Sequence, residues 1–150
     1  MKREHRGYCG IGIIKPKTLI NLGSLWRSAY CLGADFIFTI GDRYHRQASD
    51  TVAATKHVPY WRFTDFEDFH AHIPFDCQLV GVEICREARP LESFIHPERA
   101  IYLLGPEDGS LPTVIAAECQ HLVQFTSRYC LNVAAAGSIV LYDRQLKQAT

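Results

Sequence analysis

Short apolar runs of strand length alternate along this chain with segments of helical periodicity, and no other feature restricts its fold so strongly. Predicted strands cover residues 8–14, 35–40, 58–63, 78–83, 100–104 and 121–125. Because crossover segments separate them, the strands are expected to lie mainly parallel. The alternation therefore predicts an α/β fold in which helices cover both faces of the sheet.

Four segments have the features of helices. In residues 21–32, five apolar side chains recur on one face, namely Leu22, Leu25, Trp26, Ala29 and Leu32. Thr64 or Asp65 can cap a second helix that runs to residue 72, and Pro112 can open a third. Residues 131–147 are expected to form a long final helix.

The final helix is apolar on nearly all sides from residue 131 to residue 142 and carries no charge before Asp143. A helix of this kind is expected to be buried on most sides. In a small domain one side faces the sheet. The opposite side faces either a second copy of the chain or the rest of a single-chain core, so the pattern favours a homodimer and a buried monomer helix about equally.

Charge and length limit the function classes. The 150 residues carry 16 basic and 16 acidic side chains, so bulk positive charge does not identify a nucleic-acid partner. The first 60 residues nevertheless hold nine basic and four acidic side chains, which indicates either ordinary surface variation or a basic face beside an anionic substrate. With no repeat or linker, residues 1–150 are expected to form one domain.

The cysteine pattern predicts a reduced, cytoplasmic protein. The six cysteines contain no CxxC pair and the seven histidines have no zinc-site spacing, so neither a disulfide nor a metal is expected. Most cysteines lie in apolar sequence, as Cys31 and Cys85 do, and are expected to be buried like small hydrophobic residues. The longest apolar segment is too short to span a bilayer, so no membrane association is expected.

Several catalytic motifs are absent or incomplete. Gly10-Ile11-Gly12 begins like a dinucleotide-binding fingerprint, but Lys15 replaces the third glycine and a proline follows. The chain contains neither a Walker A motif nor a GxSxG nucleophile elbow. Cys130 with His121 is conceivable as a nucleophile and its base, although a small residue packed at a helix start explains Cys130 more simply.

Three polar segments point to a ligand site. In the first, residues 21–33, Arg27 lies off the apolar face and can present its guanidinium to a pocket. In the second, residues 101–112, a strand runs into Gly-Pro-Glu-Asp-Gly, and parallel sheets bind ligands at such carboxyl ends. In the third, residues 123–136, Asn132 lies in an apolar stretch where an unpaired amide would cost about 1–3 kcal/mol, so a buried amide with a specific partner is expected.

Taken in order, the three segments resemble the motifs of the SpoU/TrmH class of SPOUT RNA methyltransferases, and the resemblance covers most of the chain. The first motif, Asn-x-Gly-x-x-x-Arg-x-Ala-x-x-x-Gly, matches Asn21, Gly23, Arg27, Ala29 and Gly33. The second, an apolar strand followed by Gly-Pro/Ser-Glu, matches residues 103–107, and the third matches Leu131, Asn132 and Val133.

The chain departs from the family pattern at three places. Cys130 stands where the third motif usually has serine, and Ser110 stands where a glycine is expected. Residues 123–125 replace the usual Ile-Pro-Met. These departures affect any proton-handling role of the serine more than they affect a cofactor held by backbone groups.

The resemblance implies a SPOUT fold with a trefoil knot in the C-terminal half and S-adenosylmethionine as the cofactor. Because residues 1–150 are expected to form one such domain, no appended RNA-binding domain is expected. The implied cofactor-binding residues are Leu103, Leu104, Gly105, Glu107, Gly109, Val123, Phe125, Cys130 and Leu131. Proteins of this family are typically homodimers in which the partner's first motif completes the active site.

The implied activity is methyl transfer to a ribose 2′-hydroxyl of tRNA or ribosomal RNA. Arg27 would hold the adjacent phosphate or, less suitably for a guanidinium, remove the hydroxyl proton. The implied catalytic residues are thus Arg27, Asn21, Glu107 and Asn132. Asn21 and Asn132 would orient Arg27 and the ribose, and Glu107 would anchor the loop of the second motif. Phosphate contacts are expected from Lys2, Arg3, Arg6, Lys15, Lys17, Arg27, Arg43 and Arg46, and a base could stack on Tyr8 or Tyr44.

Two other functions stay open at this point. Cys130, Ser110 and the neutral net charge are compatible with a catalytically impaired SPOUT-fold protein that still binds RNA or cofactor. An unrelated doubly wound α/β protein that binds a small anionic metabolite is the other alternative. Turnover on RNA would exclude the first, and binding of S-adenosylmethionine would count against the second.

Overall fold

A computed structural model describes residues 7–43 and 56–148, and within them the chain forms seven strands and four helices. The strands are β1 (Tyr8–Ile14), β2 (Phe36–Ile40), β3 (Tyr60–Phe63), β4 (Gln78–Val82), β5 (Arg89–Pro90), β6 (Arg99–Leu104) and β7 (His121–Gln124). The helices are α1 (Leu19–Leu32), α2 (Phe66–Ala71), α3 (Thr113–Glu118) and α4 (Val133–Gln148).

All described strands join one sheet in the order β3-β2-β1-β6-β4-β7-β5, and every neighbouring pair is parallel. The predicted parallel α/β fold is thus confirmed, and the six predicted strands agree with the structure to within two residues. The sequence analysis missed β5, because a two-residue edge strand that ends in Pro90 has no periodicity to detect. The trefoil knot stays a prediction.

Side chains alternate between two faces of the sheet, and each face carries two helices. On one face, Ile11 and Ile13 of β1 pack with buried residues of α1 and α4. On the other face, Phe36 and Phe38 of β2 pack with Phe69 of α2 and with residues of α3. The prediction of helices on both faces is therefore confirmed.

The Gly10-Ile11-Gly12 sequence has a packing role in the sheet. A Cβ atom on Gly10 would collide with the ring of Phe36, and one on Gly12 would collide with the ring of Phe38. Both rings are almost completely buried, and that of Phe38 stacks on Phe69 with the ring centroids 4.8 Å apart. The two glycines leave room for aromatic rings to lie flat on β1, which explains the pair without a dinucleotide.

For α4, burial on most sides within a single-chain core is wrong, whereas the homodimer alternative stays a prediction; the expected burial of most cysteines is wrong as well. Helix α4 buries one side only, through Val133, Ala134, Gly137, Val140, Leu141 and Arg144. Its other side leaves Ile139, Tyr142 and Leu146 exposed by 40%, 55% and 47%. Of the six cysteines, all of them free thiols, Cys31 and Cys130 are exposed and Cys9 alone is fully buried. For α4, and for Cys31 on α1, a run of apolar neighbours in the sequence does not show which side of the helix faces outward.

A buried arginine anchors the C-terminal half of α4. Arg144 is only 4% exposed, and its guanidinium donates to the carbonyl oxygens of Pro97 at 2.6 Å and Glu98 at 2.7 Å. A third hydrogen bond, of 3.1 Å, reaches the hydroxyl of Tyr102 on β6. A buried charge requires such a full set of acceptors, so α4 is fixed to the segment that precedes β6.

His96 completes this cluster in its neutral form. The Tyr102 hydroxyl accepts a hydrogen bond from Arg144, so its own hydrogen is free to go to Nδ1 of His96, 2.6 Å away. The hydrogen of the imidazole then lies on Nε2, which donates to Asp143 at 2.8 Å. Burial lowers the pKa of His96 below its ordinary value of 6.5 and outweighs the opposing effect of Asp143.

The protein should lose stability as the pH falls below 6.5. In that range the unfolded chain protonates His96 while the folded chain resists protonation until its own lower pKa is reached, so the free energy of unfolding decreases. The substitution His96→Gln should reduce this decrease and cost about 1–3 kcal/mol at pH 7.5 through lost buried hydrogen bonds. Urea denaturation at pH 5.5 and 7.5 measures both effects. His70→Gln, on the exposed surface of α2, is the control, and an unchanged pH dependence in His96→Gln would contradict the assignment.

Candidate functional site

A pocket of about 300 Å³ opens at the carboxyl ends of β4, β6 and β7, beside the start of α4. This is the edge at which parallel sheets bind ligands, and the volume lies at the lower end of the range for small-molecule sites. The lining consists of Val82, Glu83, Ile84, Leu104, Gly105, Pro106, Glu107, Gly109, Val123, Gln124, Phe125, Ser127, Cys130, Leu131, Asn132, Val133 and Ala136.

Eight of the nine residues expected to bind a cofactor line this pocket. They are Leu104, Gly105, Glu107, Gly109, Val123, Phe125, Cys130 and Leu131. The ninth, Leu103, does not line it. Its side chain is fully buried on the opposite face of the sheet, because neighbouring residues of a strand point to opposite sides.

The sequence analysis missed the contribution of β4. Val82, Glu83 and Ile84 line the pocket at the end of this strand, as do Pro106, Gln124, Ser127, Val133 and Ala136 in or next to the matched motifs. No motif marks residues 82–84. The rule that ligands bind at the carboxyl ends of parallel strands could have found them, because β4 was predicted to end at residue 83.

The turn after β6 brings two backbone segments into contact. At Gly105 a Cβ atom would lie 2.8 Å from the backbone nitrogen of Leu111, closer than real side chains come. The amide of Leu111 in turn donates to a carboxylate oxygen of Glu83 at 2.6 Å. Glycine is therefore required at position 105 for the loop to fold back along the pocket and begin α3.

Glu107 ties this loop to the start of α1. Its carboxylate accepts hydrogen bonds from the backbone nitrogens of Lys17 at 2.8 Å and Thr18 at 3.3 Å. It also accepts one from the side-chain amide of Asn21 at 3.1 Å. Burial raises the pKa of Glu107, but these bonds together with its own backbone amide outweigh burial and hold the pKa below its ordinary value. Glu107 is therefore a charged anchor at neutral pH.

Asn132 connects the same anchor to α4. Its side-chain oxygen accepts from the backbone nitrogens of Ala134 at 2.9 Å and Ala135 at 3.3 Å, which caps the helix. Its side-chain nitrogen donates to the side-chain oxygen of Asn21 at 2.8 Å. The expected specific partner of Asn132 is thus found, but the expectation of burial is wrong, because Asn132 is exposed at the pocket rim.

We call the hydrogen-bonded chain Glu107–Asn21–Asn132 the motif relay, because it joins one residue from each of the three motifs. Its orientation is fixed at both ends. Only an oxygen of Asn132 can cap α4, so its nitrogen must face Asn21. Asn21 accepts there and must donate to the carboxylate of Glu107. Each amide therefore has a single orientation that satisfies all its neighbours.

Arg27 lies away from the pocket of its own chain. It is exposed on α1, and by ideal helix geometry it lies about 120° around the axis from Asn21 and about 9 Å along it. It borders a shallow groove with Leu19, Ile20 and Trp26, and it forms no hydrogen bond or ion pair with any described residue. Asn21 and Asn132 therefore do not orient Arg27 within one chain, and an orientation of Arg27 across two copies stays a prediction.

The candidate RNA-binding residues are only partly brought together. Lys15 and Lys17 are exposed on the loop between β1 and α1, next to the pocket residue Glu107. The guanidinium of Arg43 donates to both carboxylate oxygens of Asp108, at 2.6 and 3.1 Å, and to the Lys15 carbonyl at 2.9 Å. Arg43 thus braces this loop against the loop after β6.

The remaining RNA-contact candidates lie elsewhere. Tyr8 is the first residue of β1, so it lies at the amino ends of the strands, whereas the pocket lies at their carboxyl ends. Its ring packs on Phe36 with the ring centroids 5.5 Å apart. It is not placed to stack on a base beside the pocket, which corrects that expectation. The other candidates, Lys2, Arg3, Arg6, Tyr44 and Arg46, fall outside the described residues.

The arrangement is suited to holding a small organic ligand between apolar side chains and backbone groups. The pocket has apolar walls from Leu104, Val123, Leu131 and Val133, and its polar atoms come from side chains such as Glu83 and Asn132.

Within the described ranges, no group of three or more His, Cys, Asp or Glu side chains is arranged to hold a metal ion. In the same part of the chain, no helix has the length and apolar character needed to cross a membrane.

Comparison with known proteins agrees with the motifs. Residues 10–142 match the model of the SpoU rRNA Methylase family. None of the curated protein sequences compared with the chain matches it.

Solved structures share the fold. The SpoU methyltransferase AviRb from Streptomyces viridochromogenes, in complex with the cofactor AdoMet, has a TM-score of 0.84 at 20% identity, over 97% of this chain and 59% of that one. An AdoMet-bound rRNA methyltransferase from Sinorhizobium meliloti has a TM-score of 0.82 at 23% identity, over 94% and 57%. The chain therefore spans less than two thirds of these two proteins.

A third structure is similar over nearly the full length of both chains. It comes from a structural study of the 2-OH methylation of C/U34 on tRNA. It has a TM-score of 0.80 at 20% identity, over 95% of this chain and 97% of that one. At such identities the similarity establishes the fold.

The motif relay can be tested by reversing its donors and acceptors. Asn21→Asp places a carboxylate against Glu107 and removes a donor, which should lower the free energy of unfolding by about 1–3 kcal/mol. Adding Glu107→Gln should recover part of this loss, because the new amide can donate to the new carboxylate. Urea denaturation of the wild type, both single variants and the double variant measures the coupling.

Asp108→Asn is the matched control for the relay, because it changes the neighbouring but exposed carboxylate and should cost less than about 1 kcal/mol. If the effects of Asn21→Asp and Glu107→Gln simply add in the double variant, the hydrogen bond between these two residues does not stabilise the fold.

Proposed function

The chain belongs to the SpoU rRNA methylase family, and on that basis we propose that it transfers a methyl group from S-adenosylmethionine to a ribose 2′-hydroxyl of tRNA or ribosomal RNA. One observation carries the proposal. The second and third motifs line a single pocket at the carboxyl edge of the sheet, and the motif relay ties the first motif to that pocket.

The pocket fits S-adenosylmethionine in its chemistry. Leu104, Val123 and Leu131 offer an apolar enclosure for the adenine, and Gly105 and Gly109 leave backbone groups accessible to the polar edge of a ligand. Cys130 is exposed and lines the pocket, and a contact through its backbone does not depend on the side chain. A cysteine in place of the family's serine is therefore compatible with cofactor binding. When bound, S-adenosylmethionine supplies a methyl group on a positively charged sulfur, an already activated leaving group.

The residues of the chain then position the RNA. The guanidinium of Arg27 is suited to hold the phosphate next to the target ribose through two parallel hydrogen bonds, which places the 2′-hydroxyl for in-line attack. Lys15 and Lys17 are exposed beside the pocket and contribute further phosphate contacts. Asn21, Glu107 and Asn132 hold the three loops in place rather than contacting Arg27 of their own chain.

Because Arg27 lies away from the pocket of its own chain, it would have to reach the pocket of a second copy. The outer side of α4 exposes Ile139, Tyr142 and Leu146, and α1 packs beside α4 and carries Arg27. An apolar patch on packed helices is a suitable interface for a two-fold dimer. In such a dimer, each pocket would receive Arg27 from the other copy.

Binding and turnover test the function separately. Calorimetric titration of the wild type with S-adenosylmethionine should show one saturable site per chain, and methyl transfer to total tRNA or ribosomal RNA should follow with radiolabelled cofactor. Arg27→Ala should abolish methyl transfer while leaving cofactor affinity within about twofold. Retained activity in this variant would contradict the role of Arg27. Binding without any transfer by the wild type would support a catalytically impaired protein instead.

Mixed dimers test whether the site is shared. Arg27→Ala keeps an intact pocket, and Ala136→Trp fills the pocket but keeps Arg27. Each variant alone should be inactive, whereas a re-equilibrated equal mixture should regain about a quarter of the wild-type rate, because half of the dimers contain one complete site. If both variants are dimeric by sedimentation and the mixture stays inactive, Arg27 does not act across the interface.

A further inference from the structure

Glu83 is a pocket residue that belongs to none of the three motifs. It follows β4 directly, is partly buried, and lines the pocket together with its neighbours Val82 and Ile84. Both oxygens of its carboxylate are engaged with backbone amides, one with Leu111 at 2.6 Å and the other with Ile84 at 3.1 Å. Glu83 is therefore held in place across the pocket wall instead of extending into solvent.

The pocket has an unbalanced charge. Its described lining contains two carboxylates, Glu83 and Glu107, and contains no lysine, arginine or histidine. Glu107 is occupied by three hydrogen bonds that hold the loop before α1. The two amide bonds of Glu83 use only part of the acceptor capacity of a carboxylate, which offers about four lone-pair sites. The charged side chains that line the pocket are thus all negative, and Glu83 supplies the charge that is free to act on a ligand.

The size of the pocket places any ligand charge close to Glu83. A sphere of about 300 Å³ would have a diameter of about 8 Å, and this sets the order of the distance between the Glu83 carboxylate and a charge on a ligand in the pocket. At an effective dielectric constant of about 20, a unit charge at this distance changes affinity by about thirtyfold, and salt screening reduces this to the order of tenfold. A neutral ligand of the same shape gains no such attraction.

We propose that Glu83 gives the pocket its preference for the positively charged sulfonium cofactor over the neutral product, and so determines which of the two occupies the site. S-adenosylmethionine and S-adenosylhomocysteine share the adenosine and the amino acid, but the sulfur of the first is cationic and that of the second is a neutral thioether. The inference depends on the proposed function, because it concerns the pocket that would bind the cofactor.

Three ligands separate the effect of charge from the effect of shape. We suggest calorimetric titration of the wild type and Glu83→Gln with S-adenosylmethionine, with S-adenosylhomocysteine, and with sinefungin, which carries an ammonium group in place of the sulfonium. In Glu83→Gln the two cationic ligands should lose about tenfold in affinity, and the neutral product should change less than about twofold. The new amide oxygen can still accept from Leu111, and binding of the neutral product verifies that the pocket is intact.

The control variant is Glu87→Gln, which removes an exposed carboxylate from the same segment outside the pocket lining. It should leave all three affinities within about twofold. In the wild type, raising the salt concentration from 0.1 to about 1 M should reduce the preference for the cationic ligands, because the Debye length shortens from about 10 Å to about 3 Å.

Each outcome distinguishes the two proposals. Equal weakening of all three ligands in Glu83→Gln would overturn the charge preference, since Glu83 would then contact a group that the ligands share. Unchanged affinities in Glu83→Gln would overturn it as well, while the proposed function would stand. Failure of the wild type to bind any of the three ligands would contradict the proposed function itself.

Discussion

One carboxylate and two amides fix the arrangement on which the pocket depends. Glu107, Asn21 and Asn132 are 86 and 111 residues apart along the chain, yet they form consecutive hydrogen bonds. Every donor in the motif relay meets an acceptor in only one orientation, so the three loops can close in only one way. The sheet places the loops at a common edge, and the relay then determines how they meet there.

The motif relay also separates the residues that fasten the loops from the arginine proposed to bind RNA. The relay uses three of the four residues that the motifs marked as catalytic to fasten loops to one another, and it leaves Arg27 exposed on the outside of α1. A single chain therefore builds the pocket but presents its arginine elsewhere. In the proposed dimer, the exposed apolar side of α4 would be the surface through which two copies bring the pocket and the arginine together.

The sequence was most informative where the same apolar pattern repeats over many residues. Apolar runs located six strands and the long helices α1 and α4, because every residue of such an element contributes to the pattern, whereas the short helices α2 and α3 were located by the residues that begin them. Single residues were harder to place. Leu103 lies one position from the pocket but points away from it, and Asn132 is exposed because a helix cap lies at the surface. The polar cluster around His96 and Arg144 joins residues about 47 positions apart, and Glu83 has no motif around it, so no local pattern indicates either.

The cap of α4 also bears on the order in which the molecule assembles. Asn132 caps the first turn of α4 through a local contact, and its side-chain nitrogen also donates to Asn21, 111 residues earlier. A contact of such sequence separation closes a long loop and costs chain entropy before it forms. We expect the contact between Asn132 and Asn21 to form late, after β1 and β6 have paired, so that the pocket is complete only when α4 has packed against the sheet.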